Sequence, residues 1–525
     1  MTTELVHLFN TLARKKVLPG PEVKNEWHFD LRYVQLEPEP SHVVAITLPE
    51  SPLLHIEWLP VTSPSESGIT FFPESPEEAA PEIAKALLHA FAHSFSEYNL
   101  GRPNALLLIA PWRLTTEDKG LALAVGDEFK RLGVCPPELC RIGVSTKSLN
   151  KKVQDRFDSY FHDIKKATGI PEKVCSLVST PKSIVFHEQR PCTTSDIDAE
   201  ESQTNERAIS LTYISVIERC RPEMDAVRGF EERLCKWAEG LDKILTEKPT
   251  DIVKEAADAG DAEAAYDYGL RLLYGFGCKR DRAFARKYII KSLSSPHASN
   301  ELKCMAHGTL IDWYISWRYL EAPNRELFSR YLFAAAHHAN IIALLYRHVS
   351  PPGVPAPFPV LSFGSKVFQH CLLEKPEMWY LFGDAWDAWA EREAELKVER
   401  AKMGLKKLKN RSRYQCAAVG CEIETGTGKM LSRCGGKCDT DKKPSYCSKE
   451  CQKADWKNHK VFCKPGAPSS IVQNTRIRSL EGGGIKIPIT FPNGITVLMG
   501  SLDNDPKTLK EMKDRLSKGE DPFAE

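Results

Sequence analysis

The pattern of apolar and polar positions near the start of the chain predicts strands followed by a helix. Three runs rich in apolar and β-branched residues favour strands, at 43–48, 53–59 and 69–72. A helical period begins at Pro76, after which Ile83, Leu87, Phe91 and Phe95 fall on one face. Ser75 is the expected N-cap, with Glu78 three residues later to close a capping box.

A strand–helix–strand pattern follows. Residues 105–110 read as a buried strand, Thr115 and Asp118 as a second capping pair, and Gly133 as the end of the helix that they begin. Residues 139–144 would be the next strand, and this order is typical of a parallel βαβ unit. Residues 1–195 are therefore predicted to form an α/β domain. The sequence assigns it no role, because the loop after the first strand has no glycine run and no GK[ST].

The apolar period becomes helical over 248–350, after a linker and helix at 196–247. Alanine and glycine dominate 256–269, and a Gly-Phe-Gly turn follows at 275–277. This segment resembles one copy of a Sel-one-like repeat, a helix–turn–helix relative of the tetratricopeptide repeat. Residues 330–339 resemble the end of a second copy. The resemblance implies a helical repeat region in which neighbouring units bury each other's apolar faces. The alternative is an alanine-rich helical hairpin without repeat ancestry.

Residues 351–412 combine a proline-rich loop with a long charged helix. Five prolines at 351–359 exclude a helix there. The long helix is predicted at 376–409. An apolar seam along its first half is predicted to pack on the helical region, and after Ala390 the helix becomes rich in Glu, Arg and Lys and is expected to be solvated. The seam consists of Trp379, Phe382, Trp386 and Trp389.

Composition describes a globular protein of several domains, with 525 residues, 42% hydrophobic and 27% charged. The start of the chain lacks the apolar core of a signal peptide, and no apolar stretch is long enough to cross a bilayer, so no membrane partner is predicted. Nine of the sixteen cysteines are scattered at irregular spacings. They predict reduced thiols, and hence a location in the cytoplasm or nucleus.

Seven cysteines and one histidine cluster near the C-terminus. Zinc prefers thiolate and imidazole donors, and eight of them fill two tetrahedral sites with no open position for water or substrate. Two structural Zn²⁺ ions are therefore predicted. About fifty residues with few large apolar side chains cannot fold by burial alone, whereas a structural zinc ion supplies roughly 10–16 kcal/mol. The eight residues form the pairs Cys416 and Cys421, Cys434 and Cys438, Cys447 and Cys451, and His459 and Cys463.

The segment 446–459 reads Tyr-Cys-Ser-Lys-Glu-Cys-Gln-Lys-Ala-Asp-Trp-Lys-Asn-His and is followed by Cys463. It resembles the second half of a MYND-type zinc finger, which implies a double-zinc, cross-braced finger at 413–465. The resemblance assigns the first and third pairs to one ion and the second and fourth pairs to the other. The first set is then Cys416, Cys421, Cys447 and Cys451, and the second is Cys434, Cys438, His459 and Cys463. The first two pairs are wider than the usual two-residue knuckle, and glycine in the bends suits that widening.

The predicted fold class is multidomain α+β, with an N-terminal α/β domain, an α-helical repeat region and a small C-terminal double-zinc cross-braced finger. The tail at 466–525 is predicted to hold a hairpin at 485–498 and a short helix from Lys507.

The resemblance further implies an intracellular scaffold whose finger docks short, proline-containing peptide segments of a protein partner, in a context such as transcriptional regulation. It places the peptide contacts at Gln452 and Trp456. An indole offers a flat apolar face to a proline ring, and an amide can hydrogen-bond an extended backbone. The alternative for Trp456 is a packing role within the small domain. The helical repeats are the second predicted protein-binding surface.

Nucleic acid is the second-choice partner. Residues 402–464 contain sixteen Lys or Arg and six Asp or Glu, a surplus of ten positive charges. Seven thiolates subtract seven charges and two zinc ions add four, which leaves a net charge of about +7. Such a finger can contact a phosphate backbone. The sequence offers no separate base-reading helix and few aromatic residues for stacking.

An enzyme is the least favoured alternative. The SET-and-MYND lysine methyltransferases contain a similar finger, followed by an Asn-His-containing cofactor motif. Here Asn458 and His459 lie within the finger, no such motif follows Cys463, and the tail is too short for the catalytic fold. The chain is therefore predicted not to be an enzyme. Its pairing of a finger with Sel-type repeats resembles fungal proteins, which predicts a fungal source.

His89 and His93 are four residues apart on a predicted helix, as in a two-histidine metal pair. The intervening Ala-Phe-Ala lacks the metalloprotease glutamate, so ordinary surface or half-buried histidines are the preferred interpretation.

Overall fold

A computed structural model describes residues 2–18, 23–36, 40–61, 70–95, 109–186, 213, 241–315, 325–349, 358–364, 375, 377–409, 413–425, 431–471, 485–490, 496–501 and 506–517. The chain divides into two compact units, Met1–Trp389 and Ala390–Glu525. No helix in the described ranges combines the length and apolar character needed to cross a membrane.

The first part of the first unit is built on a mixed sheet. The elements are α1 (Thr2–Thr11), β1 (Ala13–Arg14), β2 (Glu26–Val34), β3 (Ser41–Thr47), β4 (Leu54–Trp58), α2 (Pro76–His89), β5 (Ile109–Ala110), β6 (Arg113–Thr116), α3 (Lys119–Leu132), β7 (Gly143–Val144), α4 (Lys147–Ala167) and α5 (Glu172–Cys175). The strands of the sheet run in the order β4-β3-β2-β6-β7, with β2, β3 and β4 antiparallel and β6 parallel to both β2 and β7. A separate parallel pair joins β1 to β5.

The strands predicted at 43–48 and 53–59 are confirmed as β3 and β4, but the third run is not a strand. Phe71 and Phe72 lie outside regular structure, and Ile69 lies outside the described residues. The longest of the described strands, β2, was not predicted, although Trp27, Phe29 and Leu31 alternate with polar residues as a strand requires.

The predicted βαβ unit is confirmed with a different first strand. Helix α3 connects β6 to β7, whereas Ile109–Ala110 pairs with β1 and residues 105–108 lie outside the described part. Thr115 belongs to β6, and Asp118 alone caps α3 by accepting a hydrogen bond of 2.6 Å from the Leu121 amide. Of the strand predicted at 139–144, only Gly143–Val144 forms, because a 3₁₀ turn occupies Pro137–Cys140.

The predicted start of α2 is confirmed. Ser75 Oγ accepts a hydrogen bond of 3.2 Å from the Glu78 amide. The Glu78 carboxylate accepts from the amide of Glu74, one residue before the expected partner. A π-helical turn over Ala90–Ser94 extends the helix. Ile83, Leu87, Phe91 and Phe95 are all buried, as the period predicts.

Among the described residues of the first unit after 240, the regular structure is helical, as the period predicts for 248–350; the repeat ancestry of these helices stays a prediction. They are α6 (Leu241–Glu247), α7 (Thr250–Asp258), α8 (Ala262–Tyr274), α9 (Arg282–Ser294), α10 (Asn300–Ile315), α11 (Arg325–Val349), α12 (Phe358–Phe363), α13 (Glu377–Leu381) and α14 (Gly383–Lys409), the last of which ends in the second unit. Helices α8 and α9 pack so closely at Gly269 that an added Cβ would lie 2.7 Å from Ile289 Cγ1.

The predicted apolar seam packs on the helical region only in part, and it spans two helices with a break at Phe382. Phe382 and Trp389 are buried and Trp386 packs against the core, whereas Trp379 is 45% exposed. Phe382 is buried beside Phe333, with ring centroids 6.0 Å apart. The amide of Ala385 donates to Asn340 Oδ1 of α11 at 3.0 Å.

Most of the proline-rich loop, 351–357, lies outside the described residues. The prediction that 351–359 contains no helix is wrong at its end, because Phe358 and Pro359 begin α12. A proline is tolerated in the first turn of a helix, where its missing amide would have no partner.

The sheet and the helices of the first unit share one core. Arg282 of α9 pairs with Glu74, just before α2, at 2.8 Å, and its guanidinium lies 3.4 Å from the centre of the Trp313 ring. Phe72 packs on Tyr314 of α10 at 5.0 Å. The ranges 1–195 and 248–350, which the sequence separates, therefore contribute to one compact unit.

Beyond the end of α14, the described residues of the second unit form β8 (Glu424–Thr425), β9 (Ser432–Arg433), β10 (Ser445–Tyr446), α15 (Lys449–His459), β11 (Ile485–Thr490), β12 (Thr496–Ser501) and α16 (Pro506–Ser517). Strands β9 and β10 pair antiparallel, and the other sheet has the order β12-β11-β8. The tail hairpin predicted at 485–498 is confirmed as β11 and β12, and the helix predicted from Lys507 is confirmed as α16. Residues 491–495, between the two strands of the hairpin, lie outside the described residues.

Candidate metal centre

Four cysteines form the first ligand group, with sulfur atoms all within 4.8 Å of one another: Cys416, Cys421, Cys447 and Cys451. The Cys421 and Cys447 sulfurs are 3.6 Å apart, and the Cys447 and Cys451 sulfurs are 3.5 Å apart. A tetrahedral ion with Zn–S bonds of about 2.3 Å places its sulfurs about 3.8 Å apart. The group therefore has the size and chemistry of a Zn–Cys₄ site.

Local backbone structure positions these cysteines. The first knuckle is closed by the Cys416 amide, which donates to the Ile423 carbonyl at 2.9 Å, and Gly420 turns the chain at φ +77°. Cys447 follows β10, and Cys451 lies in the first turn of α15. Ser448 caps that helix by accepting a hydrogen bond of 3.3 Å from the Cys451 amide.

The second group consists of Cys434, Cys438, His459 and Cys463, again within 4.8 Å. Cys434 and Cys463 sulfurs are 3.8 Å apart, and His459 Nε2 lies 3.7 Å from Cys438 Sγ. Gly436 turns the widened second knuckle, and a Cβ at this position would lie 2.1 Å from Cys463 Sγ. Both groups fit tetrahedral zinc with every position filled by protein, and they interleave along the chain as the resemblance implies.

Outer contacts orient the histidine ligand. Its Nδ1 lies 2.8 Å from Ser470 Oγ, which leaves Nε2 to face the cysteines. Burial lowers the pKa of His459, which favours the neutral ring that can bind a metal ion. On the same helix, Asp455 is buried and accepts a hydrogen bond of 2.8 Å from Tyr446 Oη. Ser470 lies beyond the predicted finger, and no spacing or motif in the sequence marks it as a partner of His459.

A lysine from the tail approaches the first group. Lys510 Nζ of α16 donates to Cys451 Sγ at 2.9 Å and lies 3.9 Å from Cys447 Sγ. Sequence reasoning missed this residue, because one lysine in a charged helix carries no distinguishing spacing. Only the folding of the tail onto the finger selects it.

The two predicted peptide contacts lie on α15, one turn apart. Gln452 is half-buried, and Trp456 is 43% exposed, with its ring 6.1 Å from the ring of His459. The helix face that they share is not the one occupied by Cys451, Asp455 and His459, which are buried. Their part in peptide binding stays a prediction.

His89 and His93 lie in the first unit, far along the chain from the finger. His89 is half-buried and its Nδ1 lies 3.2 Å from Glu57 Oε1, whereas His93 is exposed. The metal-ligating groups found among the described residues are the two in the finger.

Comparisons with known proteins agree with this geometry. Residues 415–463 match the family model of the MYND finger. The chain is also 50% identical over 42 residues to "SET domain-containing protein 14" of Caenorhabditis elegans, a match that spans 8% of this chain and 10% of that protein. No solved structure matches the chain. The C-terminal part of the chain therefore contains a MYND-type zinc finger with two Cys/His zinc sites, and the match to the worm protein is too short to describe the remainder.

Proposed function

We propose that this MYND-type zinc-finger protein is an interaction scaffold whose finger docks a short, proline-containing segment of a partner protein. The exposure of Trp456 carries the proposal. Helix α15 is anchored to both zinc sites, through Cys451 and His459, and yet it leaves 43% of its one tryptophan in solvent. A large apolar side chain on a rigid helix is a preorganised contact surface, which reduces the entropy lost on binding.

The neighbouring residues favour a peptide of particular chemistry. Gln452 precedes Trp456 by four residues, so the amide and the indole lie on adjacent turns of one face. Lys453, Lys457 and Lys460 are exposed around them. We therefore expect an extended segment whose proline packs on the indole, whose backbone bonds the amide, and whose flanking residues are acidic.

The test compares the wild-type protein with the double variant Gln452→Ala, Trp456→Ala by quantitative affinity purification from the native cell type. Val461→Ala serves as a matched control, because Val461 is also an exposed apolar residue of the finger. All three proteins must first be shown to hold two zinc ions. Docking is supported if some partners are lost only from the double variant and if proline-containing peptides from those partners bind the wild-type finger directly. An unchanged partner set contradicts it and directs attention to the helical region.

Exposed lysines of α15 and of the turn that follows it favour one second candidate, binding to nucleic acid. In that case the wild-type protein should bind nucleic acid tightly, with an affinity that falls steeply as the salt concentration rises. Substituting Lys453, Lys457 and Lys460 with alanine should abolish this binding. Binding to an acidic peptide depends on Trp456 as well, so the tryptophan variant separates the two candidates.

We infer that the protein is not an enzyme of the lysine methyltransferase type. The support comes from the sequence after Cys463, which contains no Asn-His cofactor motif. Isothermal titration with S-adenosylmethionine tests the inference, and measurable binding would overturn it.

A location in the cytoplasm or nucleus, a role in transcription and partner binding by the helical region complete the proposal. Scattered cysteines without secretory context support the location. Imaging of the tagged full-length chain in its native cell tests it.

A further inference from the structure

The tail beyond the matched finger packs against the first zinc site. Leu509 of α16 is 1% exposed and belongs to the same apolar cluster as Ile423, Cys416 and Cys451. Ile487 of β11 belongs to the cluster as well. The tail therefore completes a small core whose other members are zinc ligands and their neighbours.

Two further contacts hold the tail at the first knuckle. Strand β11 pairs with β8, with Ile485 opposite Thr425 and Lys486 opposite Glu424. Lys513 of α16 forms an ion pair of 2.6 Å with Glu422, the residue after the second cysteine ligand. These contacts place α16 so that Lys510 reaches the sulfur of Cys451.

Charge explains why a lysine belongs at this site. Four thiolates around one Zn²⁺ leave a formal charge of −2, whereas the second site, with three thiolates and a neutral imidazole, carries −1. An ammonium group that donates to a metal-bound thiolate offsets the larger charge and forms a strong, charge-assisted hydrogen bond.

We propose that the segments 485–490, 496–501 and 506–517 form a zinc-coupled brace of the first site, in which Lys510 is the positioning residue. Its ammonium stabilises the Cys451 thiolate on the ion, and the metal-bound thiolates in turn hold α16 on the finger. The proposal rests on zinc binding and is independent of peptide docking, so either can fail without the other.

The first test is the rate of zinc release to a chromophoric chelator from the full-length protein. In the variant Lys510→Met we expect one of the two ions to leave about tenfold faster, as is typical when an outer-shell partner of a metal ligand is removed. Lys507→Met is the matched control, because Lys507 lies on the same helix and its side chain is 85% exposed. Lys510→Arg retains a cationic donor and should release zinc nearly as slowly as the wild type. Equal release from the Lys510→Met and Lys507→Met variants would overturn the proposal.

Two readouts separate the charge effect from a loss of packing. With Co²⁺ in place of zinc, Lys510→Met should shift the thiolate-to-cobalt absorption of the Cys₄ site and leave that of the Cys₃His site unchanged. Amide hydrogen exchange in 506–517 should rise when zinc is removed from the wild type. If the cobalt absorption of the Lys510→Met variant is unshifted, the role of Lys510 is rejected. If amide exchange in 506–517 is the same with and without zinc, the coupling between the tail and the first site is rejected.

Discussion

At the scale of single residues, the finger depends on groups that shape the ligand cage as well as on the ligands themselves. Ser470 fixes the ring of His459 from outside the matched segment, at 2.8 Å from Nδ1. Two adjacent glycines in the second knuckle have different surroundings. Gly436 lies against the sulfur of Cys463, whereas nothing lies within 4 Å of the position that a Cβ of Gly435 would take.

This difference gives a paired prediction. Gly436→Ala places a methyl group where the Cys463 sulfur lies, and the protein should therefore lose the second zinc ion. Gly435→Ala should retain both ions. Native mass spectrometry of the two variants measures the stoichiometry, and two ions retained by both would contradict the geometry of the second knuckle.

At the scale of elements, local signals and tertiary pairing contributed differently. The start of α2 at Ser75 and the end of α3 at Gly133 follow from side-chain capping and a left-handed glycine, which are local. The prediction of the first strand of the βαβ unit was wrong. The apolar run at 105–110 and the segment Arg113–Thr116 both precede α3, and the local sequence allows either of them to be the strand that leads into this helix. Which one pairs with β7 depends on residues about thirty positions away.

Helix packing at Gly269 supplies the prediction at this scale. In Gly269→Ala the new methyl group would meet Ile289 of α9 at 2.7 Å and the carbonyl oxygen of Ala285 at 3.1 Å, so the helices must separate. We expect a loss of about 1–3 kcal/mol in the free energy of unfolding, as for other overpacked interfaces.

Chemical denaturation followed by circular dichroism checks the value. Gly383→Ala is the control, because a Cβ there has no neighbour within 4 Å. Equal stability of the two variants would show that α8 and α9 are less closely packed.

At the scale of the whole molecule, the first unit buries His42 of its sheet and His338 of its helices, and half-buries His307. Burial lowers the pKa of His42 in β3, with Arg330 adding to the effect. Burial lowers the pKa of His307 in α10 to about 3, and His337 and Lys303 act in the same direction. His338 of α11 lies with its Nδ1 2.7 Å from that of His307, and burial lowers its pKa as well.

These shifts predict that acid destabilises the first unit. Below pH about 6.5 the unfolded chain binds protons at these histidines and the folded chain does not. The contribution of these histidines to the free energy of unfolding should therefore be fully present above pH 6.5 and decrease as the pH falls. For His307 the decrease should continue down to a pH of about 3. Each histidine contributes up to about 1.4 kcal/mol per pH unit.

Urea denaturation of the full chain at pH 7, 6 and 5 tests the slope. His307→Asn should reduce the slope by up to one histidine's share, and His297→Asn, a change at an exposed histidine, serves as the control for the substitution itself. The same slope in the wild type and in His307→Asn would show that His307 titrates freely in the folded state.

The sequence alone determined the chemistry of the finger, because eight donors at short spacings and their neighbouring residues are local information. Periodicity and capping likewise determined α2, α3, the helical character of 248–350 and the helix that ends at Lys409, whereas they did not predict α4. Only the tertiary structure decided which distant segments meet: the pairing of β6 with β2, the shared core of the sheet and helices, and the packing of α16 on the first zinc site. Glu74 and Arg282, or Cys451 and Lys510, are ordinary residues in the sequence. They become partners because burial of apolar surface elsewhere brings their elements together, and that selection has no short-range signal.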